Sequence, residues 1–223
     1  MEQLELDKYW AIINTESMFD LFRKKLPGCD ELFVTYLRPW YDEEDRPEMT
    51  RPDMYQIAGY EGQPLDLDEI QYLIPEYLAK VNIHMNDTMV KAALADFAFI
   101  HSTGNINIEL LNAVDRYFDR SKVAKLINES DPTDFSNPYL VTVCEFGILL
   151  GQLFRQIDGY DWLYSHPYYH SIIVHKDTGF GITVFDWAVK KFSGYGVDDG
   201  FVAKFHAAVG EINKISTEHG ITE

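Results

Sequence analysis

Between Asn137 and Ile157 the residues Leu140, Val143, Gly147, Leu150 and Phe154 recur at steps of three and four, and Tyr139, Phe146, Leu149 and Leu153 cover the adjoining face. A helix apolar on most sides is buried on most sides, so this segment is predicted to be the centre of the fold. Gly147 and Gly151 share one face of it, where the lack of side chains lets another element approach the backbone closely.

The same period marks other helices. Leu4 to Leu26 reads as helical up to Pro27-Gly28, with a break near Thr15. Asp66-x-x-Glu69 has the form of a capping box ahead of Leu67, Ile70, Leu73 and Ile74, and Pro75 predicts a kink or a restart. From Asp87 the chain reads as a run of helices, one holding Val90, Leu94 and Phe97, one capped by Asn107, and a short one around Val123 and Ile127. Asp198 is read as the cap of a last helix carrying Val202, Phe205, Val209 and Ile212.

Strands are predicted where the period shortens to two: Leu32 to Leu37, Met54 to Ala58, Trp162 to Ser165, Tyr168 to Lys176 and Phe180 to Trp187. Lys176-Asp177-Thr178-Gly179 reads as the turn between the last two, with Gly179 in a left-handed conformation. Helices followed by strands predict an α+β fold that is helix-rich, with the buried central helix packed on a small antiparallel sheet. A boundary is placed near residue 83, between a mixed α+β N-terminal subdomain (1–83) and a helical segment followed by a helix–three-strand–helix unit (84–223).

Composition changes this picture in two respects. The formal net charge is −17, spread along the whole chain. Such a field repels nucleic-acid backbones and anionic lipid and favours a basic protein partner, so no nucleic acid and no membrane are expected as ligands. The 14 Phe, 14 Tyr and 4 Trp exceed what a minimal core needs, which suits a binding surface or a homo-oligomer interface. Only two cysteines occur, Cys29 and Cys144, too few for a disulfide framework. The first ten residues have no signal-peptide character and no apolar run is long enough to cross a bilayer, so a cytoplasmic location is expected.

The one crowding of catalytic side-chain types is Asp161, His166, His170 and His175, with Asp186 nearby. In a strand His170 and His175 point to opposite faces, so neither a metal nor a cofactor site is expected. If Asp177-Thr178-Gly179 is a three-residue loop, Lys176 pairs with Phe180 and His170 falls opposite Asp186, near enough for a carboxylate to orient an imidazole. No nucleophile stands beside that pair, and no phosphate-binding, nucleophile-elbow or zinc-protease motif is present. No catalytic residue is therefore assigned; His166, Tyr168, His170 and Asp186 are the candidate binding residues.

The C-terminal stretch, a glycine-bearing helix followed by a Trp strand and a hairpin ending in Asp186-Trp187, resembles small bacterial domains, some of them toxin-immunity proteins. It has no diagnostic motif and carries no residue roles across. The leading expectation is a non-enzymatic acidic binding protein, immunity-type or regulatory, that meets a basic protein partner. The alternative is a hydrolase-type enzyme with a His/Asp-lined cleft around His170 and Asp186.

Overall fold

A computed structural model describes residues 54–56, 64–71, 73–131, 137–165, 168–192 and 196–218, apart from the side chains of 54–56, Tyr77 and His170. The predicted helix at Leu4 to Leu26 and strand at Leu32 to Leu37 lie outside them. In chain order come β1 (Met54–Gln56), α1 (Leu67–Ile70), α2 (Pro75–Ile83), a π-helical segment (His84–Thr88), α3 (Met89–Asp96) and a 3-10 turn (Phe97–Phe99). There follow α4 (Ile108–Tyr117), α5 (Arg120–Asn128), α6 (Pro138–Arg155), β2 (Tyr160–Leu163), a 3-10 turn (Tyr168–His170), β3 (Ile172–His175), β4 (Phe180–Ile182), α7 (Val184–Lys191) and α8 (Phe201–Glu218). The fold is α+β and helix-rich, with one small antiparallel sheet in the order β1-β4-β3-β2. None of the described helices is long and apolar enough to cross a membrane.

Local chemistry sets the helix starts. Asn107, Asp119 and Asn137 each accept a backbone N–H from the residue three positions on, satisfying donors that a helix start leaves free. Pro75 opens α2 at a position whose N–H would be unused anyway, so the sequence restarts there as expected. α2, the π-helical segment and α3 run on without a break in helical conformation, so the junction of residues 83 and 84 falls inside one continuous arm.

α6 is the hub. Thirteen of its eighteen residues are buried, which is why its sequence is apolar all round. It packs against α3, α5, α7, β2 and β3. A Cβ on Gly147 would overlap the ring of Phe185 from α7, and one on Gly151 would overlap the indole of Trp162 from β2. The two glycines therefore act as seats for two aromatic rings. Edge-to-face contacts continue outward from Phe146 to Phe192 and Phe201, and from Phe154 to Trp187.

A lysine is buried in this apolar interior. The Lys191 ammonium is 1% exposed; it lies 3.2 Å from Asp115 Oδ1 and donates to the Val197 carbonyl at 3.3 Å. The other Asp115 oxygen accepts the Val202 N–H at 3.1 Å, so a side chain from α4 serves the start of α8. Asp198, the expected cap, forms an ion pair with Arg120 instead.

The hairpin departs from expectation. Four residues, Lys176 to Gly179, form its turn, with Gly179 at φ +70° as its position requires. His175 therefore pairs with Phe180, Val174 with Gly181 and Ile173 with Ile182, one residue out of step with the three-residue loop. β4 then stops at Ile182, and residues 184–187, predicted to continue the strand, instead open the helix that runs to Lys191. Val184, Phe185, Asp186, Trp187, Ala188 and Val189 are all buried. Burial on every side removes the polar positions by which a helix and a strand are told apart.

Adding a methyl at position 151 forces the fully buried Trp162 ring to move. Gly151→Ala is expected to lower stability by about 1–3 kcal/mol, the usual cost of overpacking a core. Urea denaturation checks this. In the double variant Gly151→Ala/Trp162→Leu the loss should fall clearly below the sum of the two single losses, because the clash disappears with the ring.

Candidate functional site

An open concavity sits where the segment before α2 lies over the sheet. It holds about 540 Å³ and is lined by Pro64 to Asp68, Asp161 of β2, and the turn residues Lys176 and Asp177. Its position follows from the backbone: the Leu65 N–H donates to the Lys176 carbonyl at 2.9 Å, strapping residues 64–68 against the hairpin turn. By contrast, a mostly apolar gap between α4 and α6, beside Leu110 and Leu149, holds about 10 Å³. That is room for a water at most, and it is a packing seam.

Four carboxylates and one ammonium line the cleft. Asp66 is partly engaged, accepting the Asp68 N–H at 2.9 Å at the start of α1. Asp161 is held from behind: its Oδ1 accepts from Arg155 Nε at 2.9 Å and from its neighbour's backbone, Trp162 N–H, at 2.8 Å. Asp68 and Asp177 have no side-chain hydrogen bond or ion pair among the described residues. The lining thus presents negative charge that the surrounding protein offsets only in part.

Behind Asp161 lies a polar network that fixes its position. Arg155 Nη1 donates to Asn86 Oδ1 at 2.8 Å, and Gln152 Nε2 donates to the same oxygen at 2.6 Å. Asn86 in turn donates to the Tyr164 hydroxyl at 2.6 Å. Asn86 sits in the π-helical segment, where the extra residue per turn re-aims a side chain relative to a regular helix. Desolvation raises the Tyr164 pKa, so the phenol stays neutral and accepts the amide.

His175 lies beside the cleft floor, between Tyr160 and the turn. Its Nδ1 is 3.0 Å from Thr178 Oγ1, and its ring meets that of Tyr160 edge-on. Gly159, at φ +86°, approaches so closely that a Cβ would lie 2.7 Å from His175 Nε2. Burial lowers the His175 pKa, and Lys176 adds to that, while Asp177 works against it.

Of the four residues singled out from the sequence, the side chains of Tyr168 and Asp186 are described. His166 lies outside the described residues, and His170 is in the 168–170 turn with its side chain outside them. Asp186 is buried on α7, beyond the end of the ladder, so His170 and Asp186 are not paired as cross-strand neighbours in the backbone register. The cause is the turn: with four residues in it, an extended ladder would set His170 opposite residue 185 and move its partner to the other face. Tyr168 is half-buried; its ring meets those of His84 and Phe185, and its hydroxyl lies near the Cys144 thiol. Desolvation pushes that thiol up to about 11, so it is neutral and inert. Among the described residues no group of three His, Cys, Asp or Glu side chains is placed to hold a metal ion.

Of the cleft residues, the sequence marks Asp161 within the His/Asp crowding and Asp66 as a helix cap, and gives no sign that the two share a wall. No family model matches this chain, and neither curated proteins nor solved structures yield a match to it.

The His175 shift has a defined sign. A histidine whose folded pKa is depressed contributes stability that is complete above its unfolded value, 6.5, and is lost as pH falls below it. Wild type should therefore lose more stability than His175→Gln between about pH 7 and about pH 5 in urea titrations, and equal slopes would contradict this placement. Separately, Arg155→Met should cost about 1–3 kcal/mol, since it strips a charged donor from Asp161 and Asn86.

Proposed function

We propose that this chain is a binding protein of immunity or regulatory type, acting in the cytoplasm, which receives a basic segment of a partner protein in the acidic cleft. The observation that carries the reading is the lining of that cleft: Asp66, Asp68, Asp161 and Asp177 against the single cation Lys176, in an open volume of about 540 Å³. Carboxylates spread along a cleft, without converging on one point, suit several cationic groups on an extended segment better than one small ion. Arg and Lys side chains match such a surface through charge-assisted hydrogen bonds. The overall charge of −17 adds long-range attraction for the same class of partner and repels polyanions.

Asp161 is the positioned member of the set. Its tie to Arg155 holds one oxygen, and a carboxylate has acceptor sites to spare for a guanidinium arriving from the cleft side. The alternative reading is a hydrolase built around His170 and Asp186; Asp186 is buried on α7, and the His170 side chain lies outside the described residues.

The reading is tested with a fluorescent Lys/Arg-rich peptide and a sequence-scrambled acidic peptide as control. Anisotropy should report binding of the basic peptide alone, weakening as salt rises. Asp68→Asn/Asp177→Asn should weaken it about tenfold, a loss of ~1.4 kcal/mol, with the fold intact by circular dichroism. Binding that ignores both salt and this double variant would overturn the assignment.

A further inference from the structure

Behind the cleft, one side-chain amide uses every hydrogen-bonding site it has. Asn86 Nδ2 donates to the Tyr164 hydroxyl at 2.6 Å and to Asn82 Oδ1 at 3.1 Å. Its Oδ1 accepts from Gln152 Nε2 at 2.6 Å and from Arg155 Nη1 at 2.8 Å. An asparagine amide offers two N–H donors and two acceptor lone pairs, so this one is fully committed. Arg155 can only donate, which settles which end of the amide is oxygen. The partners come from three places: Asn82 from α2, Gln152 and Arg155 from the last turn of α6, and Tyr164 from just past the end of β2.

Through these partners Asn86 reaches both walls of the cleft. On one side Arg155 spans the gap to Asp161, with Nη1 on the amide at 2.8 Å and Nε on the carboxylate at 2.9 Å. On the other side Tyr164 gives its hydroxyl to Asn86 and its backbone to Gln71, the residue that closes α1. With its nitrogen toward the carbonyl, the Gln71 amide donates to the Tyr164 carbonyl at 2.8 Å and accepts the Tyr164 N–H at 3.0 Å. Asp66 and Asp68 stand at the start of α1, so their wall and the wall of Asp161 are tied to the same amide. The backbone that carries this amide is irregular. His84–Thr88 is π-helical, and the Met89 N–H reaches back five residues to the His84 carbonyl. Such a turn is rare and recurs at functional sites. Here it lies between α2 and α3, and α3 packs on α6.

We propose that Asn86 is a positioning residue of the acidic cleft and couples its occupancy to the seating of the arm, residues 82–96, on α6; this rests on the reading of the cleft as the seat of a basic segment. When the arm lifts, Asn86 withdraws from Arg155 and Tyr164. The Arg155 guanidinium then loses its anchor behind Asp161, and the α1 wall loses its tie through Tyr164. A basic segment therefore binds the seated form better than the lifted one, and a ligand with such a preference shifts the population toward the form it prefers. The coupling is reciprocal: the guest holds the arm down, and the seated arm raises affinity for the guest by the same factor. Asn86 is neutral and lies behind Asp161, so it acts on the guest through Arg155 and not by a charge of its own.

Hydrogen exchange of the full chain, with and without the Lys/Arg-rich peptide, and anisotropy of that peptide test the coupling. Saturating peptide should raise protection of residues 84–96 about fivefold, while α4 and α8 change less than about twofold. Asn86→Ala should weaken peptide binding about fivefold. A purely structural role would give that loss in any background. With Asp161→Asn already present, Asn86→Ala should instead cost less than about twofold more, because no carboxylate is left to position. Arg155→Lys keeps the charge but loses the planar fork that spans Asn86 and Asp161, so it should reproduce the loss, and it decides the matter if Asn86→Ala fails to fold. Peptide that binds without protecting the arm, or an undiminished loss in the Asp161→Asn background, would overturn the coupling and leave the cleft reading standing. Wild type that does not bind the peptide overturns the cleft reading. The coupling is then judged in the free protein, where Asp161→Asn should lower protection of residues 84–96 about threefold and unchanged protection sinks it.

Discussion

The close approach of two aromatic rings to the backbone of α6 is the constraint on which the rest of the molecule is built. Phe185 rests on Gly147 and Trp162 on Gly151, so one helix face receives both α7 and β2 at a distance no side chain would permit. Interiors pack as densely as organic crystals, and an interface of this kind has little slack. The seating of Trp162 brings β2 level with the last turn of α6. That in turn sets Arg155 within 2.9 Å of Asp161 and fixes the rear wall of the acidic cleft. Packing thereby determines where the charge is displayed.

The parts of the fold that could be read from the sequence are those where one face is polar or where a cap is explicit. α4, α6 and α8 show apolar steps of three and four, and Asn107 and Asn137 do what their residue types suggest. β1 was legible too, although its place beside β4 was not. α7 was misread because its buried run carries no alternation, and because Lys191, a residue type that normally marks the surface, is inside. The register slipped for a smaller reason. One extra residue in the turn moves every later partner across the sheet, and nothing between Lys176 and Gly179 distinguishes a loop of three from one of four.

The cleft was legible only in pieces. Asp66 and Asp68 are far in sequence from Asp161, Lys176 and Asp177, and only the bond from Leu65 to Lys176 reveals that they share a wall. The net charge pointed to the class of partner without indicating a place. The buried acid Glu145 was hidden in the opposite way, within a helix so apolar that one glutamate reads as a single exposed position. Two of the buried ionisable groups are accommodated differently: Lys191 is matched by Asp115, and burial pushes the Glu145 carboxyl up to about 8.

β2 stands at the end of the strand order, so along its outer side no further strand follows among the described residues. Such an edge is a template on which another chain can add and aggregate. Here the Trp162 amide, a donor that an incoming strand would need, is already occupied by the side chain of Asp161. The same carboxylate sets a negative charge on the strand's border, which discourages close apposition of a second copy. A residue that shapes the cleft thus also guards the sheet against polymerisation, so any change made there to alter binding carries a cost in solubility.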